Sequence, residues 1–356
     1  MAGDRGLGLS DNSRLPGDDG NCQTGLAADG SRRYGPTNGK PMSLLARPAV
    51  ATRAAKTMQG LTRLAGRRSG GPGSTAAWQS RFPAYPRDAR EATVPTSVAP
   101  APVTIYAPPA GTAARPAVHV NFHGGGYVMS MPEMDDALCR ILAVEAGVVV
   151  VNVKYVVAPQ HPFPAPTTQA YDVVRWVAGH GAEQGWDGGR LSVGGQSAGG
   201  GLAAAVARQS LEQDGPPLAL QVLHYPPLDL ATSARDKKAA VPRPMLRPWM
   251  ADVFDTSYVP DPRLRADRLV SPAGASDTAD LRGIAPALVI TAEYDLLRAE
   301  AERYAGRLDA AGALVEHHEV AGADHGYDSK DDEKARATYL LIARHLRHAT
   351  AAPDVS

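Results

Sequence analysis

The sequence predicts an α/β protein, a doubly wound and mostly parallel sheet carrying a helical cap. Three observations carry that expectation. From about residue 93 onward, short strand-like runs alternate with helical patterns, as βα units feeding a parallel sheet do. Val148 to Tyr155 is an almost continuous β-branched run, suited to a strand covered on both faces. Between Leu230 and Leu281 the alternation stops in a stretch rich in Pro, Arg and Asp. That is too long for a plain connection, so a cap inserted at about 231–281 is expected.

Met1 to Lys40 is rich in Gly, Asp, Asn, Ser and Arg and poor in aliphatic residues. It cannot bury enough apolar surface to offset chain ordering, so a disordered tail or extension is expected, with Met42 as an alternative start. Residues 41–92 are expected to contribute to the cap. Within them Ser43 to Leu64 has the Ala, Leu and Arg spacing of a helix, Gly70-Gly71-Pro72-Gly73 is a break, and Trp78 to Tyr85 is an aromatic, Pro-containing stretch expected to pack on the main domain. The main domain is expected over 93–350. Its strands are predicted at Val103 to Tyr106, Ala117 to Phe122, Val148 to Tyr155, Leu191 to Val193, Ala219 to His224, Ala287 to Thr291 and Leu314 to Val320. Its helices are predicted at Asp135 to Glu145, Gln169 to Val177, Ala198 to Leu211, Glu300 to Ala311 with Gly312 as a stop, and Asp332 to Arg347.

Composition narrows the function classes. The 356 residues hold 37 Lys plus Arg and 37 Asp plus Glu, a balance with no electrostatic reason to expect nucleic acid or an anionic membrane. The two cysteines, Cys22 and Cys139, form no disulfide framework and fit a reducing compartment. No apolar run approaches the roughly 18 residues of a membrane span, and no secretory signal pattern opens the chain. A soluble cytoplasmic protein is expected.

Gly195-Gln196-Ser197-Ala198-Gly199 is a G-x-S-x-G pentapeptide between a strand and an Ala-rich helix, the context in which such a serine is a nucleophile. A serine at so tight a turn needs small neighbours, and the helix that starts there points its positive end at developing charge. The plain alternative is a Gly-rich turn with an incidental serine. His123-Gly124-Gly125-Gly126-Tyr127 directly follows a strand. Its glycines let backbone amides approach a substrate oxygen, so the N–H groups of Gly124 and Gly125, with that of Ala198, are the expected oxyanion donors. A phosphate-cradling loop is the competing reading, weakened because no G-K-[ST] follows and no G-x-G-x-x-G opens a helix. His123 is expected to hold the loop rather than to react.

A serine nucleophile needs a base and the base an orienting acid. Asp295 just after the strand at Ala287 and His325 in the loop after the last strand fit the order Ser, Asp, His. Asp324 competes with Asp295 on composition but has no strand to place it, Glu293 falls within a strand's end, and His317 and His318 lie within a strand pattern.

Together these motifs resemble the hormone-sensitive-lipase-like esterases, the bacterial family IV of the α/β-hydrolase fold. The resemblance rests on His123-Gly124-Gly125-Gly126, Gly195 to Gly200, Asp295-Leu296-Leu297-Arg298 and His325-Gly326-Tyr327, in the family's order, and on Tyr155 to Ala165, which is similar to its Tyr-Arg-Leu-Ala-Pro-Glu-His stretch. It covers about residue 93 to the C-terminus. It implies a cap over the sheet and hydrolysis of short acyl esters with no cofactor and no metal; dimers are common among such relatives. The chain departs from the pattern at Gln196, where an acidic residue is usual, at Gln160 for Glu, at Val156 for Arg, and at Leu296 for Pro. The charges usual at positions 156 and 160 are lost together, which avoids a stranded buried ion.

The sequence therefore predicts a serine carboxylesterase acting on small-molecule esters through Ser197, His325 and Asp295. Tyr127, Trp249, Phe254 and Tyr258 are the candidate pocket residues, although the three cap aromatics could equally form the cap's own core. The same triad could serve an amidase, a carbamate hydrolase or an acyltransferase. A receptor that kept the fold and lost the chemistry is the reading from another class.

Overall fold

The computed structural model describes residues 43–67 and 74–351. The tail expected over 1–40 and the break at Gly70 to Gly73 lie outside them. Two helices come first, α1 (Pro48–Arg67) and α2 (Thr75–Gln79), then β1 (Ala89–Val94), β2 (Ala101–Tyr106) and β3 (Ala117–Phe122). The βα alternation follows as α3 (Asp136–Ala146), β4 (Val149–Val153), α4 (Ala165–Gly179), α5 (Gly181–Gln184), β5 (Asp187–Gln196), α6 (Ala198–Glu212) and β6 (Leu220–His224). Then come α7 (Pro248–Tyr258), β7 (Ala287–Ala292), α8 (Arg298–Ala310), β8 (Leu314–Val320) and α9 (Asp332–Ala349).

Among the described residues the strands form one sheet in the order β1-β2-β4-β3-β5-β6-β7-β8. β1 and β2 run antiparallel to their neighbours, and the remaining pairs are parallel. Every residue of β3, β4, β6 and β7 is buried, which is why these strands read as apolar runs rather than alternations. The edge strand β8 instead alternates, with Val315, His317 and Glu319 outward, and its charges discourage pairing with another chain. Residues of α4, α6 and α8 pack with one sheet face and those of α3 and α9 with the other. Leu142, Leu202 and Leu223 are at most 1 % exposed, and burial of each such side chain contributes about 2 kcal/mol.

Two elements differ from expectation. β1 straddles the boundary expected near residue 93. Its sequence, Ala-Arg-Glu-Ala-Thr-Val, is small and charged because most of this edge strand is open to solvent, so it shows no apolar pattern. β5 starts at Asp187, four residues before Leu191, through a register shift against β3, and its Asp-Gly-Gly-Arg start carries no strand propensity.

The stretch that follows α2 is fastened to α3 by one buried side chain. The Arg140 guanidinium on α3 donates to the carbonyls of Gln79, Arg81, Phe82 and Tyr85 and to the Asp136 carboxylate. Asp136 also accepts from Tyr106 Oη at 2.8 Å and Arg87 Nε at 2.9 Å.

α1, from the segment expected to contribute to a cap, packs against α7, from the expected insertion, with Ala51 and Ala55 of α1 fully buried. Gln59 ties α1 to the loops below: its Nε2 donates to the carbonyls of Val128 at 2.8 Å and Ala158 at 3.0 Å. Its amide also pairs with that of Gln160, whose Nε2 donates to Gln59 Oε1 at 2.9 Å. The neutral Gln160 thus meets a neutral partner. Among the described residues no helix is long and apolar enough to cross a membrane.

Chain order reverses at β3, since β4 lies on one side of it and β5 on the other. Such a switch point opens a crevice beyond the strands' carboxyl ends. The glycine loop after β3 and the serine after β5 therefore emerge side by side, while the loops after β7 and β8 emerge along the same edge.

Candidate active site

The serine turn is built by close approach. β5 ends at Gln196 and α6 begins at Ala198, leaving Ser197 between them at φ 51° and ψ −121°. A serine in that region costs about 1–3 kcal/mol and persists only when its surroundings hold it. The holding contacts are visible: Ser197 N–H donates to His224 O at 2.9 Å, and α6 presses on β3 so tightly that a Cβ on Gly199 would lie 1.8 Å from Phe122 O. The glycine two residues after the serine is therefore a steric requirement of the turn.

Ser197 Oγ lies 2.9 Å from His325 Nε2, and His325 Nδ1 lies 2.8 Å from Asp295 Oδ2. Asp295 is 3 % exposed, and its other oxygen accepts the Leu297 N–H at 3.0 Å. Burial alone would pull the His325 imidazole down, but Asp295, with Asp324 and Asp328 behind it, raises it above its ordinary value. The competing Asp324 does a different job. One of its oxygens accepts the backbone N–H of His325 at 2.7 Å and the other that of Met245 at 2.6 Å, so it fixes the loop to the segment before α7. Glu293 accepts the Gly322 N–H at 2.7 Å. His317 meets Thr291 at 3.0 Å, and His318 lies 3.4 Å from Glu316 of its own strand. None of these three joins the Ser197 cluster.

Gly124 faces the serine: a Cβ there would sit 3.7 Å from Ser197 Cβ. Gly125 has φ 120°, and a Cβ would meet Met129 O at 2.4 Å, so the loop's path admits no side chain at this point. Among the described residues the N–H groups of Gly124 and Gly125 have no acceptor, and Ala198 is the first residue of α6, where an N–H has no intrahelical partner. Those are donors available to an oxygen bound in the cleft. His123 turns away from the serine. Its ring stacks on Tyr155 at 4.3 Å, Nδ1 donates to Gly124 O at 2.5 Å, and Tyr155 Oη donates to His123 O at 2.9 Å. Burial lowers its imidazole to about 4, so it is a neutral brace under the loop.

Ser197 and His325 border a cleft of about 1090 Å³, its open mouth included. Of the four predicted pocket residues, Tyr127 and Phe254 line it, Phe254 lying over the Gly126 backbone. Trp249 and Tyr258 do not. Trp249 is on the outward side of α7, 45 % exposed. Tyr258 is buried behind the wall, stacked on Tyr127 at 3.8 Å between ring centroids. Helical geometry is the reason: Met250, Ala251, Phe254 and Asp255 form the face of α7 turned to the cleft, and an aromatic count cannot tell that face from its opposite.

Sequence reasoning passed over four charged residues on the cleft wall, Asp255 of α7 and three from other segments. Lys237 Nζ lies 2.5 Å from Glu300 Oε2, a pair made across distant segments. Arg81 comes from the stretch held by Arg140, and Asp328 follows His325 by three residues. Only the aromatic stretch Trp78 to Tyr85 carried a signal, since Trp78 and Arg81 both reach the cleft. Among the described residues no cluster of three or more His, Cys, Asp or Glu has the arrangement of a metal site.

Comparison with known proteins accords with this geometry. The profile of a family described as alpha/beta hydrolase fold matches residues 119–329. Esterase LipI of Mycobacterium tuberculosis is 38% identical over 232 residues, covering 63% of this chain and 69% of that protein. Ethyl acetate hydrolase of Pseudomonas putida is 34% identical over 232 residues, covering 64% of this chain and 71% of that protein. The structure of a hyperthermophilic esterase from the archaeon Pyrobaculum calidifontis superposes with a TM-score of 0.73 at 30% identity, over 88% of this chain and 100% of that one. Sheet order, the serine turn at the switch point and these likenesses agree, and the chain belongs to the alpha/beta hydrolase fold family, in its hormone-sensitive-lipase-like branch.

Proposed function

We propose that this protein is a serine carboxylesterase that hydrolyses small carboxylic esters of short to medium acyl length. The observation that carries the reading is the hydrogen-bonded line from Ser197 Oγ through His325 to Asp295 at the mouth of a cleft. Ser197 attacks the ester carbonyl as His325 takes its proton. Asp295 keeps the imidazole in the tautomer that accepts at Nε2 and stabilises its charged form. The N–H groups of Gly124, Gly125 and Ala198 receive the oxyanion, each lowering the barrier by roughly 3 kcal/mol. The alcohol departs with the histidine's proton, and water, activated by the same imidazole, hydrolyses the acyl-enzyme. The names of the relatives, esterases and an ethyl acetate hydrolase among them, support a short-acyl substrate. We extend the reading to action in the cytoplasm, which cell fractionation tests, and to assembly as a homodimer, which the elution volume and light scattering of the purified protein test.

The experiment is labelling with a fluorophosphonate beside hydrolysis of a para-nitrophenyl ester series, for wild type and Ser197→Ala. Labelling and turnover that vanish in the variant, with rates falling beyond about eight carbons in a cleft of this size, support the proposal. Undiminished labelling of the variant refutes the assignment of Ser197, and a preference for long emulsified chains refutes the short-acyl reading.

A further inference from the structure

Asp328 lies in the turn Tyr327–Ser329, three residues after His325. It is 4 % exposed and borders the cleft. Three neutral donors converge on its carboxylate. Gln196 Nε2 at 2.7 Å and Tyr339 Oη at 2.9 Å reach one oxygen, and Tyr225 Oη at 2.6 Å reaches the other. No lysine or arginine among the described residues pairs with that carboxylate. Arg81 donates to the Asp328 backbone carbonyl instead, at 2.8 Å, and its own charge is matched by Asp332. A buried carboxylate without a cation is costly to keep.

Its position suggests what the charge does. Gln196, immediately before the nucleophile, is held by Asp328. Tyr225, also held by Asp328, lies edge-on to the His325 ring with centroids 4.9 Å apart. The charge thus sits between the residues that flank the nucleophile and the base. When the serine loses its proton, His325 becomes an imidazolium, and a fixed negative charge in a site with little water favours that form. We propose that Asp328 is a positioning residue, whose carboxylate supplies beside the nucleophile a negative charge that Gln196 lacks, and thereby stabilises protonated His325 while holding Gln196 in place.

The inference rests on the esterase reading for its kinetic part only. Other groups face the same region. Asp295 and Asp324 act on His325 in the same sense. His224, which meets Tyr327 Oη at 2.9 Å, is lowered to about 4 by burial and stays neutral. Tyr225, Tyr327 and Tyr339 are raised by burial and stay neutral too. Arg81 is the cation nearest the carboxylate's own backbone.

The test follows the His325 imidazole by NMR through a pH titration of the resting enzyme, in wild type, Asp328→Asn and Tyr339→Phe. The lost charge lowers the imidazole pKa by about half a unit to one unit in Asp328→Asn. Tyr339→Phe, which removes one donor but keeps the charge, leaves it within about 0.2 unit on the same argument. With an ester substrate, the acid limb of kcat/KM moves down with the imidazole, kcat falls about tenfold and KM changes less than about threefold, as for an interaction realised in the transition state. An imidazole unmoved in a folded Asp328→Asn overturns the proposal even if the enzyme is active. A wild type inactive on every ester overturns the esterase reading and leaves the NMR result to decide this one. Should Asp328→Asn alone fail to fold, the double variant Gln196→Glu with Asp328→Asn carries the test. It moves the negative charge to the position before the nucleophile, so the imidazole pKa stays within about 0.3 unit of wild type. A fall of about half a unit or more in the folded double variant overturns the proposal.

Discussion

Replacing Asp295 by asparagine changes one atom of the site and tests whether the aspartate sets the histidine's proton. The carboxylate divides its oxygens between His325 Nδ1 at 2.8 Å and the Leu297 N–H at 3.0 Å. A buried N–H of this kind is expensive to leave unpaired, so the amide oxygen of the variant stays on Leu297. Its NH2 then faces His325 and forces Nδ1 to accept. The ring proton moves to Nε2, the nitrogen 2.9 Å from Ser197 Oγ, which can no longer take the serine's proton. Loss of the correct tautomer costs about 10,000-fold in kcat in triads of this design, or about 5 kcal/mol of barrier. Asp295 does not line the cleft, so KM changes less than about threefold. The assay is initial-rate hydrolysis of para-nitrophenyl acetate and butyrate, with a thermal melt to show that the isosteric variant is folded. A folded variant with kcat within about tenfold of wild type would refute the argument. It would mean that another group, such as Asp324 on the same loop, orients the imidazole.

Other consequences are open to measurement. Gly199→Ala drives a methyl group into Phe122 O, 1.8 Å away, and should destabilise the fold by about 3 kcal/mol, read as a lower urea midpoint. Arg140→Met frees four backbone carbonyls and leaves Asp136 to Arg87 and Tyr106; the loss should be about 3 kcal/mol, with faster proteolysis between residues 79 and 85. Phe254→Ala should change the relative kcat/KM of short and medium acyl esters by about tenfold, whereas Trp249→Ala, on the outward side of α7, should leave it within about twofold. Because His325 must be neutral to act as base and its imidazole is raised by Asp295 against the pull of burial, kcat/KM should fall as pH drops through a midpoint above about 6.5. A midpoint below that value would contradict the assigned environment.

The parallel strands were readable because burial on both faces leaves apolar runs, as in Val149–Val153. The serine turn was readable because steric crowding dictates its residues, as the space at Gly199 makes plain. Ser197, Asp295 and His325 follow strands whose order along the chain sends their ends to one edge, so position after a strand pointed to three residues that the structure brings within hydrogen-bonding reach. What escaped notice depends on contacts between segments distant in sequence. Lys237 finds Glu300, and Asp328 gathers Gln196, Tyr225 and Tyr339; no local spacing announces either. Trp249 and Tyr258 were grouped with Phe254 by composition, but a helix distributes neighbours around its circumference and only one face meets the cleft. The edge strand Ala89–Val94 escaped because a strand open to solvent has no apolar alternation to read.

The grip of Arg140 on the backbone from Gln79 to Tyr85 has a mechanical implication. Trp78 and Arg81 enter the cleft from a stretch clamped to a core helix, whereas Met250 and Phe254 enter from a helix packed on α1. The two walls of the cleft therefore hang from different parts of the molecule, one from α3 and the other from the α1–α7 pair and the Tyr127–Tyr258 stack. A change in α3 would reach the cleft through Trp78 and Arg81, and a change in α1 through Met250 and Phe254.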